Sequence, residues 1–284
     1  MRNLTGKTAF ITGGASGIGL GMAQAFLAEG MQVVIADVNG ATLESAAQLL
    51  GEPERVLAVQ LDVTDRESVR SGVAEAVDPF GAIDLACANA GVGGGGAAVA
   101  DPDFGGWDRV MAVNLDGVVN TIKAIVPGMR ERASGGHLVV TSSVAGVTAL
   151  PFEHGAYTTS KFAVRGLGES LRLSLAEEGI GVSVLCPGLT QTAILDSGSE
   201  ESVEFDSIQG AMDPAEVGHR VVRGVRANAP YIFTHAEFAD EFRALFDEIV
   251  AAVPDDQVVP HDRAVFEQGR RDLCDRLRHL PTLD

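Results

Sequence analysis

Short apolar runs alternate with helix-length amphipathic stretches along most of this chain, and the alternation sets the expected architecture. Lys7–Thr12 reads KTAFIT, Met31–Ala36 reads MQVVIA, Val56–Leu61 reads VLAVQL and Ile83–Ala88 reads IDLACA. Leu138–Thr141, Val182–Cys186 and Tyr231–Phe233 continue the series. Helical patterns fill several of the gaps: from about Ile18, from Glu67 to Val77, from Trp107 to Arg132, and from Tyr157 to about Glu178. Another begins at Asp213-Pro214, where an N-cap aspartate precedes a proline at the first helical position. Strands alternating with helices at this period predict an α/β fold, a doubly wound parallel sheet with helices on both faces. Such sheets bind ligands at the carboxyl ends of their strands.

The pattern changes after the last strand. Phe238, Phe242, Leu245, Phe246 and Ile249 recur at helical spacing and form one apolar stripe. A charged helical segment follows, from about Arg263 to Leu280. The stripe suits core packing, a cap over a substrate pocket, or a contact with another subunit. No internal repeat or linker divides the chain, so residues 1–284 are expected to form one domain, with a core over 4–233 and a C-terminal helical extension over 234–284. Two loops interrupt the pattern: the glycine-rich Val92–Gly106, and the acidic Leu195–Gly210, which is either a solvated loop or a lid over the site.

Composition narrows the partners. Hydrophobic residues make up 46% of the 284, enough for a large core, and the formal net charge is −18. That acidity argues against a nucleic-acid groove or an anionic membrane surface as partner. No apolar run reads as a bilayer span and the first strand starts within a few residues, so a cytoplasmic protein is expected. Cys87, Cys186 and Cys274 are odd in number and lack CxxC spacing, and the six histidines lack ligand spacing; neither a disulfide framework nor a metal site is expected.

Candidate chemistry gathers where strands end. After the first strand, Thr12-Gly13-Gly14-Ala15-Ser16-Gly17-Ile18-Gly19 places glycines at a strand–turn–helix junction. There a bare backbone can approach a pyrophosphate seated on the helix N-terminus. The second strand ends in Asp37, at the distance expected of a carboxylate that binds the adenosine ribose and repels a 2′-phosphate. No Arg or Lys stands at 14–16 or 38 to receive that phosphate, so NAD is expected over NADP. Tyr157 and Lys161 lie one helical turn apart, on one face. A phenol's ordinary pKa is about 10. A neighbouring ammonium favours the phenolate, so Lys161 is expected to lower the pKa of Tyr157 and make it a proton acceptor for an alcohol. Lys161 is one of only three lysines, with Lys7 and Lys123.

Together these motifs resemble the short-chain dehydrogenase/reductase (SDR) family, over residues 4–233 and in the family's order. Its TGxxxGxG loop appears as Thr12–Gly19, its adenine-contacting acid as Asp62 beside Val63, and its NAG as Asn89-Ala90-Gly91. Its helix asparagine appears as Asn114, its serine as Ser143, its YxxxK as Tyr157 and Lys161, and its PG as Pro187-Gly188. Two departures stand out. The spacing from Ser143 to Tyr157 is a residue longer than is common, which leaves open whether Ser142 or Ser143 faces the substrate. Thr190 replaces the valine of PGxVxT, while Thr192 keeps the threonine expected near the nicotinamide carboxamide.

The resemblance implies a Rossmann-type fold binding NAD through Gly13, Ser16, Gly17, Ile18, Gly19, Asp37, Asp62, Val63, Asn89, Ala90, Gly91, Pro187, Gly188, Thr190 and Thr192. It implies that Tyr157 is the acid–base, Lys161 holds the nicotinamide ribose, Ser143 binds the substrate hydroxyl, and Asn114 holds a water. It also implies a homotetramer or dimer built on the Asn114 and Tyr157 helices. The tail is similar, more loosely, to members that oxidise benzylic alcohols of lignin-derived aryl ethers, which favours a bulky, largely apolar secondary alcohol or its ketone. Alternatives are an NADPH-dependent 3-ketoacyl-type reductase and a non-catalytic dinucleotide sensor. His154, three residues before Tyr157, either touches the substrate or lies on the surface.

Overall fold

The computed structural model describes residues 1–93, 104–149, 154–192, 210–254 and 260–280. Seven strands form one parallel sheet: β1 Thr8–Thr12, β2 Gln32–Asp37, β3 Val56–Gln60, β4 Leu85–Ala88, β5 Gly136–Thr141, β6 Ile180–Cys186 and β7 Tyr231–Phe233. Their order is β3-β2-β1-β4-β5-β6-β7, every pairing parallel. The order in which successive strands are added to the sheet reverses between β1 and β4, and the crevice at that switch point is where doubly wound sheets take ligands.

The side-chain period of two explains why both faces carry helices. In β1, Ala9 and Ile11 enter one apolar cluster and Phe10 the other; Val33 and Ile35 of β2 join the first, Val34 and Ala36 the second. Cys87 and Cys186 are buried, one in each cluster, as small apolar residues. Helices α1 (Gly17–Ala28), α2 (Gly40–Leu50) and α7 (Pro214–Arg226) contribute to the first layer; α3 (Arg66–Phe80), α5 (Gly117–Arg132) and α6 (Gly155–Ser174) to the second. α1 and α7 approach closely because both are glycine at the crossing: a Cβ on Gly21 would lie 2.1 Å from the Pro214 carbonyl oxygen, and one on Gly218 would lie 2.2 Å from that of Gly21.

Three sequence expectations need correction. A helix at 40–50 was not foreseen; its only buried residues are Leu43 and Ala46, too narrow a stripe to read. The long helix is interrupted: α4 (Gly105–Met111) passes through a π-helical turn, Ala112–Asp116, before α5. And 105–132 is, by length and composition, apolar enough to cross a bilayer, unlike the sequence reading. Here its apolar side chains are core, with Val118, Ile125 and Met129 nearly fully buried.

The extension comprises α8 (Ala239–Ala251) and α9 (His261–Arg278), neither with a buried residue. The apolar stripe of α8 is therefore not core. Phe238 and Phe242 stack on each other and Phe242 meets Phe233 of β7, whereas Phe246 and Ile249 are 45% and 52% exposed. Most of the glycine-rich loop (94–103) and the acidic stretch to 209 lie outside the described residues.

Candidate active site

The turn after β1 is built from backbone. Gly13 and Gly17 adopt left-handed angles, φ +63° and +48°, which cost a side-chain-bearing residue energy. A Cβ on Gly13 would lie 2.9 Å from Ala90 Cα, and one on Gly19 would lie 2.0 Å from the Gly13 carbonyl oxygen. Thr12 Oγ1 accepts from the backbone N–H groups of Asn89 (3.0 Å) and Ala90 (3.2 Å), tying β1 to the NAG segment. Asn89 Nδ2 donates to the Thr12 and Gly13 carbonyls, and its Oδ1 accepts from Thr141 Oγ1 at 3.1 Å. One asparagine thus fixes the ends of β1, β4 and β5.

Helix α1 differs at its start from α2, α3 and α7. Asn39, Asp65 and Asp213 cap α2, α3 and α7 with side-chain oxygens, whereas Ser16 makes no side-chain cap and the first turn of α1 carries no acid. Ile18 packs on the core, while Ser16 is exposed. The first N–H groups of α1 therefore suit an external anion. Across the turn, Asp37 accepts from Ala15 N–H (3.4 Å) and Asn39 N–H (3.1 Å). Asp62 is exposed just beyond β3, its Oδ1 accepting from Thr64 N–H and Oγ1 at 2.8 Å, and the buried Val63 offers its carbonyl to Asn120 Nδ2. Positive φ, missing Cβ atoms and an uncapped helix make this cradle fit a dinucleotide.

The second cluster is built from side chains. Asn114 is fully buried in the π-helical turn. Its Oδ1 accepts from Val92 N–H (2.8 Å), and its Nδ2 donates to the Val92 carbonyl (3.1 Å) and to Ser160 Oγ (3.2 Å). Both Nδ2 protons are thereby used, so the side chain could hold a water only through its remaining acceptor lone pair. Ser160 in turn donates to the Tyr157 carbonyl at 2.7 Å. Its part was missed in the sequence, although a serine one before the lysine, on the buried side of the helix, is the available signal.

The structure separates Ser142 from Ser143. Ser142 Oγ donates to the Lys161 carbonyl at 2.7 Å and is sealed in packing, whereas Ser143 Oγ accepts from Ala145 N–H (3.1 Å) and lies near enough to the Tyr157 phenol to lower its pKa. Lys161 Nζ donates to the Thr141 carbonyl at 3.1 Å and lies 5.4 Å from the centre of the Tyr157 ring. Gly91 borders it: a Cβ there would come 3.5 Å from Nζ.

Burial overturns one expectation. The pKa of Tyr157 is raised, not lowered: desolvation dominates, and the nearby Ser143 hydroxyl opposes it only in part. Burial also brings Lys161 down to about 8. Lys161 stands beside the ring and spends a proton on the Thr141 carbonyl, and the loss of water sets the direction of the phenol's shift.

A third segment, 187–192, closes the site. The Pro187 carbonyl accepts from Val144 N–H (3.0 Å), joining it to the serine loop. Thr190 Oγ1 donates to the Gly188 carbonyl (3.1 Å), and Thr190 bridges to Met212 in parallel fashion. A Cβ on Gly17 would meet the Thr192 methyl at 2.9 Å, so the glycine turn and this segment are in contact. His154 occupies the N-cap position of α6, half-buried, with no capping bond. Among the described residues, no group of three or more His, Cys, Asp or Glu side chains is placed to hold a metal ion.

The sequence signature of the family described as short chain dehydrogenase matches residues 7–202, well over half of the chain. The chain belongs to that family. It is 40% identical over 194 residues to a 3beta-hydroxysteroid dehydrogenase 2 of Eggerthella lenta, covering 67% of this chain and 74% of the relative. Among solved structures, LigO from Sphingobium sp. strain SYK-6, in its apo form, is 36% identical with a TM-score of 0.78, covering 96% of this chain and 98% of LigO. An SDR from Burkholderia phymatum in complex with NAD is 28% identical with a TM-score of 0.81, over 92% and 100% of the two chains. This SDR chain is thus an oxidoreductase of the family, with the family's seven-stranded fold and a C-terminal helical extension.

Proposed function

We propose that the protein interconverts a bulky, largely apolar secondary alcohol and its ketone, using NAD, with Tyr157 as general base and acid. The observation that carries this reading is the Ser143–Tyr157–Lys161 cluster, in which a serine hydroxyl lies near enough to the phenol to lower its pKa and a lysine borders its ring. The cofactor when bound supplies the hydride acceptor or donor. Gly13, Ser16, Gly17, Ile18 and Gly19 would receive its pyrophosphate, Asp37 its adenosine ribose, and Asp62 and Val63 its adenine. Asn89, Ala90, Gly91, Pro187, Gly188, Thr190 and Thr192 would line the nicotinamide half, with Lys161 on its ribose.

Ser143 and Tyr157 would both hydrogen-bond the substrate oxygen, Ser143 holding it in place. In oxidation Tyr157 takes the hydroxyl proton; in reduction it returns that proton to the carbonyl oxygen. The raised pKa of the ligand-free phenol keeps it protonated at neutral pH, which suits the acid role directly. The base role needs the positive charge of oxidised cofactor beside it, which favours the phenolate. Asn114 clamps the 89–92 segment to α6 and so holds Lys161 and Gly91 in register.

The steroid relative and the apolar C-terminal stripe support a bulky apolar substrate; a panel of aryl, steroid and terpenoid secondary alcohols read at the NADH absorbance tests it. Tyr157→Phe should lower kcat by ~10²–10⁴-fold, the usual worth of general acid–base catalysis, while NADH binds as before. Near-full activity in that variant would refute the reading. For the cofactor, Asp37→Ala should relax the preference towards NADP; wild-type turnover faster with NADPH than NADH would overturn the role given to Asp37. We also propose a homo-oligomer, dimer or tetramer, supported by the exposed Phe246 and Ile249 of α8, whose Phe242 packs on Phe233 of the edge strand β7.

A further inference from the structure

His235 follows β7 and was set aside in the sequence because it has no metal-ligand spacing. The fold places its ring against the 187–192 segment. Gly188 N–H donates to His235 Nδ1 (3.1 Å) and to Thr234 Oγ1 (3.2 Å), while His235 Nε2 lies 2.9 Å from the Leu189 carbonyl oxygen. A carbonyl oxygen only accepts, so Nε2 carries the proton and Nδ1 is left as an acceptor. Thr234 Oγ1, 2.7 Å from Nδ1, donates to it and completes the arrangement. The fit is close: a Cβ on Gly188 would lie 2.7 Å from the imidazole ring.

The other side of the segment is pinned independently. Met212 N–H donates to the Leu189 carbonyl (3.0 Å) and Gln191 N–H to that of Met212 (3.0 Å). The Leu189 carbonyl thus takes two donors, one from the strand-like bridge and one from His235. On its outer edge the imidazole meets Phe238 edge-on, with ring centres 6.4 Å apart, and Phe238 stacks on Phe242 of α8. A continuous set of contacts runs from the C-terminal extension through one histidine to the peptide that follows Pro187.

We infer that His235 is a positioning residue for the nicotinamide half of the cofactor site, setting the Gly188–Leu189 peptide through both ring nitrogens and coupling it to the C-terminal extension. The inference rests on the dinucleotide reading above, because it assigns 187–192 to the nicotinamide end. The adenosine half, on Gly13–Gly19 and Asp37, shares no hydrogen bond with His235, so its effect should be confined to one end of the ligand.

The test measures calorimetric binding of NADH and of ADP-ribose, which lacks the nicotinamide ring, to wild type, His235→Phe and His235→Asn. The Phe variant keeps a ring but loses both hydrogen bonds and should bind NADH about tenfold more weakly, with ADP-ribose within about twofold of wild type. The Asn variant restores an acceptor toward Gly188 and should recover most of the loss. Equal NADH binding in all three proteins, or parallel loss of NADH and ADP-ribose, overturns the inference. Wild type that binds neither ligand overturns the dinucleotide reading instead. If His235→Phe fails to melt cooperatively, His235→Leu carries the comparison: it too removes both ring nitrogens, and unchanged NADH binding there also overturns the inference.

Discussion

The two ends of this sheet are both lined with buried polar groups, and they are finished in opposite ways. At the amino end the groups mostly satisfy one another, His137 Nδ1 and Arg172 Nε excepted. Asp84 accepts from Thr8 N–H at 3.0 Å and from Arg132, while Arg132 also donates to the Ile83 carbonyl. Arg172 donates to the carbonyls of Val182 (2.7 Å), Asn228 (2.8 Å) and Arg278 (3.0 Å), tying β6 and α9 together. At the carboxyl end, Thr12, Asn89 and Thr141 hold the strands but leave a space lined by glycine. The first turn of α1 is uncapped there, and a tyrosine and a lysine are held at high electrostatic cost. The closed end is finished for stability and the open end for a ligand. Substitutions at the first should therefore act on folding, and those at the second on turnover.

The largest expected effect is the loss of kcat in Tyr157→Phe, and it sharpens the contrast if the urea midpoint of that variant matches wild type. The half-buried Tyr157 hydroxyl contributes little to folding, so removal of the oxygen should cost less than about 1 kcal/mol, the net worth of one hydrogen bond. A large drop in midpoint would place Tyr157 with the structural residues.

Next is Arg172→Met, at the closed end. It leaves three carbonyls without this donor, that of Val182 buried and those of Asn228 and Arg278 partly so, and hydrogen bonds to charged groups are worth about 1.5–3 kcal/mol each before relaxation. A net loss on the order of 3 kcal/mol is expected, read as a lower urea midpoint, with kcat per folded molecule within twofold of wild type. A fall in kcat without a fall in stability would break the division between the two ends.

How much of this was legible depends on what each end is made of. The strands announced themselves as apolar runs, and the open end as motifs, because glycines at Gly13, Gly17 and Gly19 and the Tyr157–Lys161 spacing are features of the chain itself. The π-helical turn around Asn114 was not legible, since it follows from contacts with Val92 and Ser160 made across the fold. Nor was the direction of the Tyr157 pKa, because the spacing identifies a neighbouring ammonium and says nothing of how much water is lost. Ser142 and Ser143 could be told apart only once the Lys161 carbonyl was seen to hold the first. His235 was invisible for the same reason: its partners, Gly188 and Leu189, are distant in sequence.

The smallest effect concerns His137, read in the sequence only as a histidine without metal-ligand spacing. It is fully buried on β5 at the closed end, its Nε2 donating to Ser183 Oγ (2.9 Å), which donates on to the Ala229 carbonyl (2.6 Å). Burial, with the N-terminus and Arg172 as lesser causes, lowers its pKa from 6.5 to about 3. The unfolded chain therefore takes up a proton as pH falls through 6.5, and the folded chain does not until about 3. The unfolded state binds more protons in that window, so stability is fully present above pH 6.5 and drains away as pH falls, by up to about 1.4 kcal/mol per unit. Wild type should lose about 2 kcal/mol more than His137→Gln between pH 7 and pH 5, measured by urea midpoints. Turnover normalised to folded protein should follow the same pH profile in both, because His137 faces the end of the sheet that closes on itself. Equal stability slopes would show that the ring is protonated in place, and a changed kinetic profile would show that the two ends are coupled.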